Sequence, residues 1–202
     1  AGGILGAELA AKAQPDGYTL IMATAGILTV IPHMNSKTPY SVERDFAPVS
    51  LLATNESFLL VNPAVPARAL TELIALAKKS PGKYTIGALP SSAQHLGSEL
   101  FKLRAGIDLL FIPYKGNGPA LTDLLSGNIQ LMFDTLGTAL PPVKGGLLRP
   151  LAVSSAQRIS DLPDVPTMAE SGYPDYGVSV WYGVSAQSKL PEYPGAIVTG
   201  HA

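Results

Sequence analysis

The fold class follows from the stretch LTELIALAKKSPGKYTIGALPSSAQHLGSELFKLRAGIDLLFIPYKGNGPALTDLLSGNIQLMFD, residues 70–134. Short apolar runs alternate in it with segments whose apolar residues recur every three or four positions. The first pattern is typical of buried strands and the second of amphipathic helices. Three such strand-then-helix units in succession, continuing to Ser154, predict an α/β fold with a mainly parallel sheet and helices on both faces.

The helices are predicted from periodicity and from the residues that stop them. One helix runs from about Ala69 to Lys79 and places on one face Leu70, Leu73, Ile74 and Ala77. Another helix runs from about Ala93 to Arg104. It carries Leu96, Leu100 and Leu103, which are spaced at i, i+4 and i+7. The remaining predicted helices are Gly6–Ala13, a segment through Leu121, Leu124 and Leu125 that Gly127 ends, and Leu136–Lys144.

The strands are predicted from short apolar runs rich in β-branched residues. They are Tyr18–Ala23, Val49–Leu52, Phe58–Val61, Tyr84–Ala88, Leu109–Pro113, Ile129–Phe133, Leu148–Ser154 and Val178–Val184. The first of them is apolar throughout, as expected for a strand that is covered on both faces.

The composition excludes several classes of function. The 202 residues are 47% hydrophobic and 14% charged, which is enough for a packed core and too apolar for a disordered chain. Fourteen basic and fifteen acidic residues leave a formal charge of −1, so no charge excess points to nucleic acid or to an anionic membrane. Cys is absent, which removes disulfides, zinc–thiolate sites and cysteine nucleophiles. No stretch approaches the roughly 18 uninterrupted apolar residues of a membrane span.

Candidate ligand-binding residues lie where the predicted strands end. Open sheets of this class bind ligands at the carboxyl ends of their strands, where loops lead into helices. Those ends read Thr24-Ala25-Gly26, Leu89 to Ser92, Tyr114 to Gly118 and Asp134-Thr135, and none contains Arg. At Ser91-Ser92-Ala93 a helix should begin, and its free N–H groups suit a carboxylate or a phosphate. The alternative is a Ser that only caps its own helix.

The remaining polar residues at these ends each allow a structural role and a functional one. For Lys115 the functional role is to bind a negatively charged group of a ligand, and the structural alternative is a solvated loop residue. Asp134 grips an ammonium group, accepts backbone N–H bonds or caps a turn. Ser92, His95 and Asp134 supply the residue types of a hydrolase triad, but the first two share one helical turn and no G-x-S-x-G motif is present. A His95 that hydrogen-bonds locally is the structural alternative to a catalytic base.

Metal and nucleotide sites find little support in the sequence. The only His residues are His33, His95 and His201, and there is no H-x-x-x-H pair or Asp-rich loop, so we expect no metal. The pair Gly116-x-Gly118 lacks the third Gly of a dinucleotide loop.

Several segments together resemble the periplasmic solute-binding proteins of tripartite tricarboxylate transporters, often called the Bug family. The most specific strings are PDGYTL (15–20), PYKG (113–116) and LPDVPT (162–167). They stand within the longer matching stretches 1–24, 45–63, 70–87, 95–134 and 147–176, which follow one another in family order.

The resemblance implies a two-lobed type II periplasmic-binding-protein fold that captures a small carboxylate, an organic acid or an acidic amino acid, in the periplasm and delivers it to membrane permease subunits. It implies no catalysis, no cofactor, no nucleic-acid partner and no membrane insertion. Backbone N–H groups and small hydroxyls would hold the ligand. By motif, the implied ligand-binding residues are Thr24, Ala25, Gly26, Ser91, Ser92, Ala93, His95, Tyr114, Lys115 and Asp134.

The same resemblance implies that the first lobe, residues 1–59 and 178–202, is incomplete in this chain, whereas the second lobe, 60–177, is whole. Family members have a further strand and a Gly-rich loop before Ala1, and helices after Ala202. We therefore expect exposed apolar surface and weak or absent ligand binding by these 202 residues alone. Two other functions stay open: a ligand-sensing regulatory domain of the same fold, and a serine hydrolase that uses Ser92 and His95.

Overall fold

The structure is a computed structural model that describes residues 3–190. The predicted first-lobe residues 1, 2 and 191–202, with His201 among them, lie outside the described residues. Within residues 3–190 no helix has the length and hydropathy of a membrane span. The helices are α1 (Ile4–Ala11), α2 (Ile31–Met34), α3 (Val42–Asp45), α4 (Leu70–Lys79), α5 (Ala93–Ala105), α6 (Asn117–Ser126) and α7 (Leu136–Lys144), with a π-helical turn at Gly26–Val30.

The strands are β1 (Leu20–Thr24), β2 (Phe46–Val61), β3 (Thr85–Ala88), β4 (Leu110–Pro113), β5 (Leu131–Thr135), β6 (Arg149–Val153) and β7 (Ser179–Gln187). The described chain divides into two compact units. The first unit contains the residues up to Thr54 and those from Trp181 on, and the second unit contains Asn55–Val180. The lobe boundaries expected from the sequence, after residues 59 and 177, stay a prediction.

The second unit is built on a five-stranded sheet in the order β6-β2-β5-β3-β4. Strands β3, β4 and β5 pair in parallel, while β2 runs antiparallel to both β5 and β6. Four of the five strands therefore point the same way, and only β2 opposes them. The predicted α/β class with a mostly parallel sheet is confirmed for this unit.

Apolar side chains cover both faces of this sheet. On one face Leu59 and Phe133 pack with Leu73 of α4 and Phe101 of α5. On the other face Phe58, Leu60 and Met132 pack with Leu124 of α6 and Ala139 of α7. Since successive strand residues point to opposite faces, the run from Phe58 to Leu60 supplies both cores, which is why it is apolar at every position.

The first unit contains β1, which pairs antiparallel with β7, and β7 in turn neighbours β2. Its core is small and centres on Ala7, Tyr40 and Phe46. Many apolar side chains of this unit remain exposed, Leu20 and Met22 on β1 among them. The expectation that the first predicted strand is covered on both faces is therefore wrong for the described residues, because both of these side chains are more than half exposed.

Two other expectations are wrong as well. The segments Val49–Leu52 and Phe58–Val61 were expected as separate strands but form one strand, β2, because the polar residues between them stay extended and neither Gly nor Pro interrupts them. Of the three leucines predicted to share a face of α5, Leu100 packs against the core, but Leu96 and Leu103 are exposed. The buried face consists of Ala93, Gln94, Gly97, Ser98, Phe101 and Ala105.

Candidate functional site

The common direction of β3, β4, β5 and β6 brings their carboxyl ends to one edge of the sheet in the second unit. The loops that follow these strands therefore meet there, and three helices, α5, α6 and α7, begin directly after them. This edge holds Ser91, Ser92, Ala93, His95, Tyr114, Lys115 and Asp134, all of which are predicted site residues. We refer to it as the carboxyl edge.

Ser92 caps α5. Its Oγ accepts a hydrogen bond from the backbone N–H of His95 at 3.1 Å, as expected for an N-cap Ser. Ser91 before it has a φ of 62°, a left-handed conformation that a side chain disfavours. Its N–H donates to Nδ1 of His95 at 3.2 Å, and this bond helps hold the loop in that conformation. Ala93, the first residue of the helix, is buried.

His95 has a local structural role at this edge. Its ring packs on Phe111 of β4, with 4.3 Å between the ring centroids. Burial lowers the pKa of His95, which favours the neutral ring that accepts the Ser91 N–H. The Ser92 hydroxyl accepts a hydrogen bond from the backbone N–H of His95, whereas the imidazole ring of His95 accepts one from the backbone N–H of Ser91. This is the local hydrogen bonding that the sequence offered as the alternative to a nucleophile and base.

Tyr114 follows β4 and leans back across the sheet. Its hydroxyl donates to Asp123 Oδ2 of α6 at 2.6 Å, and its pKa is raised to about 12, first by burial and then by that bond. The ring lies over β3, where a Cβ at Gly87 would stand 2.9 Å from Tyr114 Cε2. Glycine at that position gives the ring its room. Lys115, the next residue, is exposed, which fits the solvated loop residue that was its structural alternative.

Asp134 is fully buried near the end of β5. Its Oδ1 accepts hydrogen bonds from Asn117 Nδ2 at 3.0 Å and from the Thr135 backbone N–H at 2.9 Å. Within the described part of the chain its Oδ2 has no partner. Burial raises the pKa of Asp134 and outweighs the hydrogen bonds that act in the other direction.

Three further polar residues lie at the same edge and were not predicted as site residues. Asn117 lies within the strand end Tyr114 to Gly118 but was not predicted as a site residue, yet it is the first residue of α6 and donates to Asp134. Ser154 follows β6, and its Oγ accepts the backbone N–H of Ser57 at 3.0 Å. Ser57 is itself buried, and no partner for its Oγ lies among residues 3–190. The position of Ser154 at the end of a predicted strand was the one sequence signal available for these three residues.

Thr24, Ala25 and Gly26 belong to the first unit, and they lie where β1 leads into the π-helical turn. Thr24 Oγ1 accepts the backbone N–H of Ile27 at 3.3 Å, so Thr24 caps that turn. The local arrangement, a strand end followed by a helical turn, is the one predicted for a ligand loop. Among the described residues no group of three or more metal-binding side chains is found in either unit.

Comparisons with known proteins agree over nearly the whole chain. The model of the tripartite tricarboxylate transporter family receptor matches residues 1–197. Protein BugT of Bordetella pertussis is 40% identical over 189 residues, which are 92% of this chain and 58% of BugT. The chain thus spans little more than half the length of that relative.

Solved structures give the same result. Rpa4515 of R. palustris with adipate superposes with a TM-score of 0.89 at 35% identity, covering 94% of this chain and 64% of that one. MatC from Rhodopseudomonas palustris with bound malate has a TM-score of 0.87 at 30% identity, covering 95% of this chain and 65% of that one. On this evidence the chain belongs to the tripartite tricarboxylate transporter receptor family of periplasmic solute-binding proteins, which includes the Bug proteins.

Proposed function

We propose that this chain is the ligand-capturing part of a solute-binding protein that takes up a small carboxylate, an organic acid or an acidic amino acid, for a tripartite tricarboxylate-type transporter. The observation that carries the proposal is the match, over at least 94% of the chain, to family members solved with adipate and with malate. Both of those ligands are dicarboxylates.

The carboxyl edge supports this class of ligand by its chemistry. The first backbone N–H groups of a helix have no partner within the helix, and the helix dipole adds positive potential there. The 13-residue helix α5 begins at this edge beside the hydroxyls of Ser91 and Ser92. Donors of this kind bind a carboxylate without Arg, which the strand ends lack.

The proposed ligand site consists of the ten residues that the family resemblance implies. Ser91, Ser92 and Ala93 would donate N–H and O–H groups, and Tyr114, Lys115 and His95 would shape the same wall. The buried Asp134 would lie behind that wall. Thr24, Ala25 and Gly26 would contribute the loop of the first unit.

The same family membership supports a proposal about the partners and the compartment. We propose that the ligand is delivered to the membrane permease subunits of the transporter and that capture takes place in the periplasm. Catalysis has no part in this function, since release to a permease needs binding and a conformational change alone.

Calorimetric titration of the complete gene product tests the function. We expect heat of binding with adipate, malate or glutamate and none with adipamide, the neutral counterpart of adipate, because the backbone donors lose their charged acceptor. Failure of all three acids, or equal binding of adipamide, would contradict the proposal.

A further inference from the structure

The buried Asp134 has surroundings that do not suit a carboxylate anion. It lies on the face of β5 that also carries Met132, opposite Phe58 of β2, and both of these neighbours are fully buried. Its Oδ2 is buried and has no partner at hydrogen-bond geometry within residues 3–190, and the nearby Thr138 hydroxyl lowers the pKa of Asp134 less than burial raises it. An ionised carboxylate in apolar surroundings with an unsatisfied oxygen is strongly disfavoured.

The charged groups of the elements packed against β5 do not compensate this charge. Asp123 of α6 bonds to Tyr114, and Lys102 of α5 pairs with Glu99 of the same helix. The other charged or titratable groups on these elements are Glu56 of β2, His95 and Arg104 of α5, and Lys144 at the far end of α7. In the described part of the chain none of these groups forms an ion pair with Asp134. Burial is accordingly the largest influence on the pKa of Asp134, and it raises that pKa.

Asp134 nevertheless holds two parts of the carboxyl edge in place. Through Asn117 it fixes the first residue of α6, which directly follows the loop that carries Tyr114 and Lys115. Through the Thr135 N–H it fixes the residue that precedes α7. Both bonds use Oδ1 as an acceptor. A neutral carboxylic acid with its proton on Oδ2 keeps that acceptor and carries no charge.

We propose that Asp134 is a positioning residue that stands in the folded protein as a neutral carboxylic acid, so that the carboxyl edge receives a carboxylate ligand without an opposing charge. This inference rests on the proposed function and states how ligand binding would be regulated by pH. Ionisation of Asp134 would place a negative charge beneath the ligand and weaken its binding, so carboxylate capture is coupled to the protonation of this side chain.

The first test needs no ligand. The free energy of unfolding is measured against pH for the wild type and for Asp134→Asn, a neutral mimic that keeps the acceptor oxygen. When the pKa of an aspartate is higher in the folded than in the unfolded protein, its protonation stabilises the folded state. This stabilisation is complete below about pH 4 and is lost as the pH rises through the folded-state pKa. We therefore expect the wild type to lose stability relative to Asp134→Asn with rising pH. Asp161→Asn, which alters an exposed aspartate, is the matched control.

The difference between wild type and Asp134→Asn decides the inference, because the other titrating groups are common to both proteins. A constant difference, or a wild type that gains stability relative to the variant as pH rises, would overturn it. Either result would mean that folding does not favour the neutral acid. This arm is independent of whether the protein binds any carboxylate, so its failure is distinguishable from failure of the proposed function.

The second test measures affinity for adipate and for glutamate at about pH 5 and about pH 8. We expect the wild-type affinity for adipate to fall by roughly tenfold relative to that of Asp134→Asn across this range, a coupling of ordinary size. The rival role is an ionised Asp134 that grips the ammonium group of an amino acid. It predicts that Asp134→Asn loses glutamate but not adipate binding, and that result would overturn the inference.

Discussion

Ser92 illustrates how one side chain organises the carboxyl edge. Its Oγ satisfies a backbone N–H in the first turn of α5, and the neighbouring Ser91 N–H bonds to the ring of His95. Both bonds join residues three or four positions apart, so this loop is held largely by its own sequence. The helix thus begins at a defined residue, which places its remaining free N–H groups at the edge.

Replacing Ser92 tests this cap. Ser92→Ala should lower the free energy of unfolding by about 1 kcal/mol, because the acceptor of the His95 N–H is lost. Ser92→Thr keeps a hydroxyl at the cap and should cost less. Urea denaturation of the three proteins makes the comparison. If Ser92→Ala is as stable as the wild type, the cap has no energetic role.

Helix α5 shows that the choice of buried face depends on the size of side chains as well as on their polarity. Small residues, Gly97 and Ser98, lie on the buried side, and Phe101 packs edge-on against Phe133 with 6.2 Å between centroids. Tyr176 reaches this face and donates to the Gly97 carbonyl oxygen at 3.0 Å. A leucine at position 97 would prevent that approach, because even a Cβ there would stand 3.0 Å from the Tyr176 hydroxyl oxygen.

Truncating a leucine side chain to alanine should have different effects in α4 and in α5. Leu73→Ala in α4 removes a fully buried side chain and should cost about 2–5 kcal/mol. Leu103→Ala in α5 removes a side chain that is 78% exposed and should change stability by no more than about 0.5 kcal/mol. Thermal and urea unfolding measure both. A large loss of stability with Leu103→Ala would contradict the exposed position of Leu103 and would support the buried leucine face that periodicity predicts.

At the scale of the whole molecule, the distribution of exposed apolar surface is uneven. In the first unit Leu20 and Met22 of β1 and Leu51 and Leu52 of β2 are each more than half exposed. A cavity of about 240 Å³ in the same unit is lined by residues that include Val49, Leu51 and Trp181. Clustered exposed apolar side chains of this kind favour association.

We therefore expect the 202-residue chain to self-associate in a concentration-dependent manner. Leu51→Lys should reduce the association, because a charge on an exposed strand opposes edge and face contacts. Leu103→Lys, at an exposed position of the second unit, is the control and should leave it unchanged. Light scattering after size exclusion gives the molar mass of each protein. Equal association of all three would show that β2 is not the contact surface.

The sequence by itself determined the α/β class, the alternation of strands and helices in the second unit, and the places where loops and helix starts meet. The helix predicted at Leu136–Lys144 has those bounds, and Gly127 ends α6 with a φ of 79°. These features arise from hydrophobic periodicity, caps and turn residues, which act between residues close together in the chain.

Only the tertiary structure decided which face of α5 is buried, that β2 is one strand, and which partners the polar residues of the carboxyl edge have. Asp134 bonds to a residue 17 positions away, Tyr176 to one 79 positions away, and Ser57 to one 97 positions away. Periodicity along a chain carries no information about such contacts. They depend on which elements the fold places side by side, and the burial that isolates Asp134 comes from that same packing.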